Sequence, residues 1–400
     1  MQLKYLLCPC ILFLTMAIHA QEVTKLHIDP AAAKGGSASS LITDISFIPL
    51  ESTPESIIGT IHRLEVTPQY YIILDYMVKA IFIFDKTGKF HTKIKARAIS
   101  TNSNFVPYHL WYDKAQQLIA VASDDHVVYF NTDGKLIRKS KQTPYDYQRK
   151  YLEDGKTVAT CYGADKRNKD SIAYQAVVMN DTGIVQQYLP YNFRSASIPS
   201  MDMLYSNQTQ FYPCNDSSVF YVRPYDFNIY QLSAHSFHPV YRFVFPMANT
   251  LPGEFLTDST LYGKRIRYLE NNRQFYYGLD NIAKIGNNLF FRPDRKGGYI
   301  YNLKSGHFIG IDKITPDERT HFLFLTDQLV GGVEFANYGF LAQEGDALYT
   351  NCSSLTLFQQ KEANVDRHPV YPPALAKYLE DSKNKKGNPV LIKVKFADSF

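Results

Sequence analysis

One local unit recurs along this 400-residue chain and constrains its fold more than any other feature. An apolar strand ends in Asp or Asn, a turn carries Gly, and a second strand follows. The unit reads AIFIFDKTGKFHTKI over Ala80–Ile94, VVYFNTDGKLIRKS over Val127–Ser140, AVVMNDTGIVQQYL over Ala176–Leu189 and GYIYNLKSGHFIGI over Gly298–Ile311. A weaker copy, FNIYQLSAHSFHPVYRF over Phe227–Phe243, has Ser236 in place of Gly. Asp or Asn ends each strand because its side chain bonds the turn backbone, and Gly supplies a positive φ without steric penalty. The turn positions 88, 134, 183, 236 and 306 lie 46, 49, 53 and 70 residues apart. Further strand-like runs precede them, Ile61–Val66 and Tyr70–Leu74 in the first copy, Tyr108–Tyr112 and Gln117–Ala122 in the second. Four strands in a period of about 40–50 residues are one blade of a β-propeller.

Five hairpins are visible, and the chain ends supply a sixth blade. Phe335–Leu341 and Ala347–Thr350 read as its inner strands, and Val390–Phe396 (VLIKVKF) is a clean strand after Gly387 and Pro389. Ile42–Leu50 (ITDISFIPL) is a lone strand ahead of the first blade. Placing both terminal strands in one blade closes the ring and removes two unpaired edges. The fold class is therefore all-β: a six-bladed β-propeller of four-stranded antiparallel blades, closed by pairing of the N- and C-terminal strands. The domain reading is a signal segment at 1–20, a linker at 21–40 and one propeller at 41–400. A helical or loop insert is expected near 250–270, and a short helix near 373–382 (PALAKYLEDS).

Residues 1–20 have the three parts of a secretory signal: Lys4, an apolar run from Tyr5 to Ile18, and Ala20 before a polar stretch. The run is shorter than the roughly 20 residues of a membrane span, and Pro9 would disturb a spanning helix. Cys8 and Cys10 come too early in the run to accept a lipid. The expectation is an exported protein, periplasmic or extracellular, without a transmembrane span in the mature chain. Beyond the signal stand Cys161, Cys214 and Cys352, with no zinc-type spacing, which read as small buried apolar residues.

The composition fits. Thirty Tyr and 26 Phe against one Trp favour strands and blade-to-blade packing. A net charge of +5, without a basic cluster interleaved with aromatics, gives no ground for a nucleic-acid partner.

Four segments carry a family resemblance: ISFIPLESTPESIIGTIHRLEV (Ile45–Val66), YYIILDYMVKAIFIFDKTGKF (Tyr70–Phe90), PGEFL (Pro252–Leu256) and GNPVLIKVKF (Gly387–Phe396). Together they resemble the six-bladed β-propeller proteins exported or lipid-anchored in Bacteroidetes, mostly uncharacterised. The resemblance implies a fold and an address and supplies no catalytic set. Those proteins often carry a GxGPGEY-like turn after the first blade. Here that region is KARAISTNSNFVPY (Lys95–Tyr108), with no Gly.

Propellers bind ligands at the central channel or on a loop face, and innermost strands line the channel. The candidates near their starts are His62, Arg63, His109, Arg149, Asp280, Asn281 and Asn337. A converging set of His, Asp and Asn would hold a metal such as Ca²⁺, as in a lactonase-type hydrolase. No spacing forces convergence, so the plainer reading is hydrated channel groups and turn formers. The chain has no GxSxG elbow, no HExxH and no sialidase-type Asp box. Asp124 and Asp125 point to opposite faces if they lie on a strand, and read as turn residues. Tyr70-Tyr71, Tyr276-Tyr277 and Tyr221–Tyr230 read as blade packing before sugar platforms. The functional reading is a non-enzymatic binding or scaffold propeller of the cell envelope, with a protein, peptide or glycan partner and no cofactor. The alternative is the metal-dependent hydrolase using the channel.

Overall fold

The computed structural model describes residues 23–141, 148–152, 154–160, 170–191, 210–261, 263–294, 297–326, 335 and 338–400. Its strands form six sheets, each built on four antiparallel strands. Blade 1 holds Arg63–Val66, Tyr70–Asp75, Ala80–Asp85 and Phe90–Lys95. Blade 2 holds Leu110–Asp113, Leu118–Ala122, His126–Phe130 and Leu136–Lys141. Blade 3 holds Gln148–Tyr151, Thr157–Thr160, Ala173–Asn180 and Gly183–Tyr191. Blade 4 holds Gln210–Asn215, Ser218–Val222, Asn228–Ser233 and Phe237–Val244. Blade 5 holds Leu279–Ile285, Asn288–Pro293, Tyr299–Asn302 and Phe308–Thr315. Blade 6 combines Ala342–Glu344, Ala347–Cys352 and Val390–Phe396 with Ile42–Pro49. The chain is a six-bladed β-propeller.

The repeated turns do what the sequence predicts. Gly88, Gly134, Gly183 and Gly306 all have positive φ where the third strand of a blade turns into the outermost one. The Asp85 carboxylate accepts from the Thr87 and Lys89 amides, Asn131 from Asp133 and Lys135, and Asn302 from Lys304 and Ser305. The long fourth interval holds the helix Arg265–Asn271 ahead of blade 5. Its buried Arg265 side chain donates to the carbonyls of Phe255, Leu256 and Asp258 and so pins the PGEFL turn. Pro373–Glu380 is helical.

Four segments differ from the sequence reading. Thr24–His27 and Lys34–Ser37, within the supposed linker, add as parallel fifth strands to the outer edges of blades 4 and 5. Such short runs have no partner nearby in sequence, so nothing local marks them. The innermost strand of blade 6 is Ala342–Glu344, not Phe335–Leu341. The left-handed turn at Gly339 breaks that apolar run. A further helix, Ser354–Ala363, is capped by the Ser353 hydroxyl, which accepts from the Thr356 amide.

Alternation along each strand explains why the middle strands of blade 1 carry apolar residues on both faces. In blade 1, Ile72 and Leu74 pack toward blade 2, with Ile119, Val121 and Val128. Their neighbours Tyr71 and Ile73 pack toward blade 6, with Tyr349 and Leu391. Each blade is a sheet buried on both faces between its neighbours, and an alternating polar face has no place in it. Trp111 and Tyr129 of blade 2 pack toward Tyr151 of blade 3.

The seam lies between blades 6 and 1. Val390–Phe396 pairs antiparallel with Ala347–Cys352 on one side and Ile42–Pro49 on the other. The buried Asn388 accepts from the Ile58 amide at 2.8 Å and donates to the carbonyls of Glu51 and Ser56 at 2.7 and 2.8 Å, locking the loop into blade 1. Glu344 of blade 6 receives Lys86 of blade 1 at 3.0 Å, Lys393 at 3.1 Å and the Tyr349 hydroxyl at 2.7 Å. Burial pushes the Glu344 carboxyl up, but these three donors outweigh it and hold it at about 2. Gly88 meets the seam directly: its carbonyl accepts from the Glu51 amide at 2.8 Å, and a Cβ there would land on the Pro49 carbonyl oxygen.

Two outcomes follow from this seam. Removing residues 387–400 takes the closing strand out of its sheet and should lower the midpoint of the whole thermal transition or prevent folding, as read by circular dichroism. An unchanged cooperative midpoint would contradict it. Gly88→Ala and Gly134→Ala both place alanine at positive φ, at about 1–2 kcal/mol each. Only Gly88 also faces a backbone collision, since the space beside Gly134 opens to 3.5 Å. Urea unfolding should show Gly88→Ala to be the more damaging by at least about 1 kcal/mol.

Candidate binding face at the channel mouth

The innermost strands stand side by side around the axis, that of blade 6 beside blade 1 and so on in order to blade 5. The residues that enter these strands gather at one end of the channel, and blades 6, 1 and 2 build a continuous aromatic band there. The His62 ring stacks on Tyr76 at 4.2 Å between centroids and meets Tyr338 edge-on at 5.8 Å. Tyr76 in turn meets Tyr108 at 5.1 Å. The Tyr76 hydroxyl donates to the Tyr108 carbonyl at 3.2 Å and accepts from Arg63 Nε at 3.4 Å.

A buried carboxylate organises this end of blade 1. Asp75 ends the second strand, and its Oδ2 accepts from the amides of Gly59 and Thr60 at 2.7 and 3.1 Å. Its Oδ1 accepts from Met77 and Val78 at 2.8 and 3.2 Å. Four backbone donors on one ion fix two loops against each other, and charge-assisted bonds of this kind are the strong ones. His62 Nδ1 accepts from the Tyr76 amide at 3.1 Å, which requires the neutral ring. Burial lowers the His62 pKa, against the pull of Asp75. Burial also lowers His109, to about 4, and the nearby Arg63 charge adds to the shift. The His109 ring lies parallel to Trp111 at 6.2 Å.

The sequence candidates thus divide. His62, Arg63 and His109 come together at the mouth. Arg149, on the innermost strand of blade 3, acts instead on the Tyr151 hydroxyl, which burial pushes up and Arg149 partly offsets. Asp280 lies 3.7 Å from the buried Arg292, whose Nη1 donates to the Phe335 carbonyl at 3.2 Å. Asn281, at φ 56°, accepts from the Phe340 amide at 2.8 Å and donates to its carbonyl at 2.6 Å. Its amide thus clips blade 5 to blade 6 as a strand would. Asn337 lies outside the described residues, as does Cys161. Asp124 and Asp125 sit in an exposed turn, bonded to Ser100 and His126.

Among the described residues no three His, Cys, Asp or Glu side chains converge. His62 has Nδ1 engaged by a backbone amide, and Asp75 has both oxygens engaged. Cys214 and Cys352 are both unbridged and lie in separate cores.

Sequence reasoning missed Asp75, Tyr76, Tyr108 and Tyr338. Asp75 had a signal: YYIILD ends in Asp before a turn, as the repeated units do. The exposure of Tyr108, 53%, and of Met77, 78%, has no signature in the residues themselves.

Residues 24–395 match the family described as Domain of unknown function (DUF4934). No curated protein matches the chain. The crystal structure of a Bacteroides fragilis protein assigned as exported aligns over 94% of this chain and 99% of its own, with a TM-score of 0.65 and 19% identity. At that identity the likeness speaks for the fold alone. BamB from Moraxella catarrhalis aligns over 66% of each chain at a TM-score of 0.38 and 9% identity. The WD40 domain of SCAP from fission yeast aligns over 68% of this chain and 58% of its own, at 0.30 and 8%. No helix among the described residues is long and apolar enough to cross a membrane.

The histidines set a pH dependence. The folded pKa of His109, about 4, lies below the roughly 6.5 of an unfolded histidine, so the unfolded chain binds the proton first. Its contribution is complete above about pH 6.5 and is lost as the pH falls toward 4. Urea titrations at pH 7 and 4.5 should show that His109→Gln removes about 2 kcal/mol of the acid-induced loss. An equal loss in parent and variant would contradict it. Asp75→Ala leaves four amides without their acceptor and should cost about 2–4 kcal/mol at pH 7 in the same assay.

Proposed function

The chain belongs to the DUF4934 family, and on that premise we propose a non-enzymatic recognition propeller of the bacterial envelope, periplasmic or extracellular after export. The partner is a protein or peptide segment docking at the channel mouth. The observation that supports this is the aromatic band from Tyr338 through His62 and Tyr76 to Tyr108, bordered by exposed Ile57, Met77 and Val78. Scattered exposed apolar residues need no explanation, but a cluster on rigidly held turns is the pattern of an interaction face. Asp75 holds the turn of Met77 and Val78 from beneath, so little order is lost on docking. His62, the histidine of the band, is kept neutral and engaged, which suits stacking better than proton transfer.

The test uses the purified mature chain on a displayed peptide library and on a glycan array. Tyr108→Ala combined with Met77→Ser should reduce peptide retention about tenfold or more, as expected for loss of interface anchors. The thermal midpoint should fall by no more than a few degrees, because Met77 faces solvent and Tyr108 gives up only its edge contact with Tyr76. Retention of the same peptides by the variant would overturn the reading, and so would retention of glycans alone.

A further inference from the structure

A cleft of about 250 Å³ opens beside the mouth face on blade 1. Lys79, Lys93, Lys95 and Arg97 line it together with Val78, Ala80 and Ala96, and much of the lining is apolar, the stems of the basic side chains included. The fold forces these cations together. Lys93 and Lys95 share one face of the outermost strand Phe90–Lys95, because alternate residues do. The Ala96 amide donates to the Lys79 carbonyl at 3.0 Å, which brings the Met77–Lys79 turn against the end of that strand. Arg97 follows in the single helical turn Ala96–Ile99.

One of the four is matched. Lys93 Nζ lies 2.6 Å from the Glu55 carboxylate and donates to the Glu55 carbonyl at 2.7 Å. Lys93, and Lys95 at longer range, hold the Glu55 carboxyl below its usual range. Lys79, Lys95 and Arg97 have no carboxylate at ion-pair distance among the described residues. Lys95 and Arg97 are exposed. Three cations that line one cavity without a carboxylate at ion-pair distance would all attract an anion placed among them.

We infer that this cleft binds the carboxylates of an acidic peptide segment, with Lys79, Lys95 and Arg97 as its anion anchors. The adjoining surface favours a peptide over an acidic polysaccharide, because it presents Val78 and Met77 rather than amides for sugar hydroxyls. The direction of the bound segment, from the cleft toward Tyr108, rests on the reading of the mouth as a recognition face. The anchors themselves do not depend on it.

The probe is a fluorescein-labelled peptide of alternating Glu and Leu, titrated into the mature chain and followed by anisotropy. Saturable binding that weakens with salt is expected. Lys95→Glu with Arg97→Glu should weaken it about tenfold or more, whereas Lys139→Glu with Lys141→Glu, the same change of net charge on exposed positions of blade 2, should alter it less than about twofold. Equal losses from the two pairs would overturn the site, as would failure of the parent chain to bind, or equal binding of a Lys–Leu peptide. Stronger binding of polygalacturonate than of the Glu–Leu peptide would overturn the peptide assignment. Tyr108→Ala separates the two readings. Binding that survives this change but not the charge reversal keeps the cleft and removes the mouth. The reverse result removes the cleft alone.

Discussion

The ring depends on the pairing of Ile42–Pro49 with Val390–Phe396. Without it, Val390–Phe396 keeps a single neighbour, Ala347–Cys352, and Ile42–Pro49 has no partner strand at all. The pairing is reinforced by contacts of different physical kinds. Asn388 satisfies backbone groups of the joining loop, Glu344 draws Lys86 across the seam beside Lys393 of its own blade, and Tyr71 packs edge-on against Tyr349. A propeller is a stack of sheets bent into a circle, and every interface is stable only while its neighbours hold their places. That is why so many buried side chains collect where the circle is joined.

Much of this architecture was legible because its signals are local. Asp85, Asn131, Asn180 and Asn302 bond amides two or more residues on, and the glycines that follow need positive φ. Both requirements act within five residues and leave a readable mark. Parallel addition of Thr24–His27 to Phe237–Val244 leaves no such mark, since its partner is distant and TKLH is too short to show a period. Phe335–Leu341 failed for a different reason. FANYGFL is apolar enough for a strand, and only the left-handed Gly339, packed against Asn281 and Arg292, shows why it turns.

The mouth was legible in part. The starts of the innermost strands were readable from the repeat, which is why His62, Arg63 and His109 were singled out, and the fold sets these three near one another. Asp280 and Asn281 met the same rule, but Asp280 lies beside Arg292 of its own blade and Asn281 clips to Phe340 of blade 6, since polar groups at strand starts bond protein neighbours as readily as they face a channel. Tyr76 and Tyr108 were hidden in a chain rich in aromatics, where most rings lie inside. The cleft was hidden because FHTKIK reads as an ordinary edge strand, and only the folded turn brings Lys79 to Lys95 and Arg97.

The two parallel strands at the amino end carry a consequence for the timing of folding. Leu26 pairs with Phe243, Ser37 with Thr315, and Ile48 with Leu391. The first segments made, or the first delivered through a pore, therefore have partners that arrive late. Blades 1 to 3 can assemble early from local hairpins, while the leading arm waits for blades 4 and 5 and the ring waits for the final strand. Long-range pairing of this sort slows folding and leaves strand edges open meanwhile. A holding factor that shields the arm would therefore matter most in the interval before Val390–Phe396 appears.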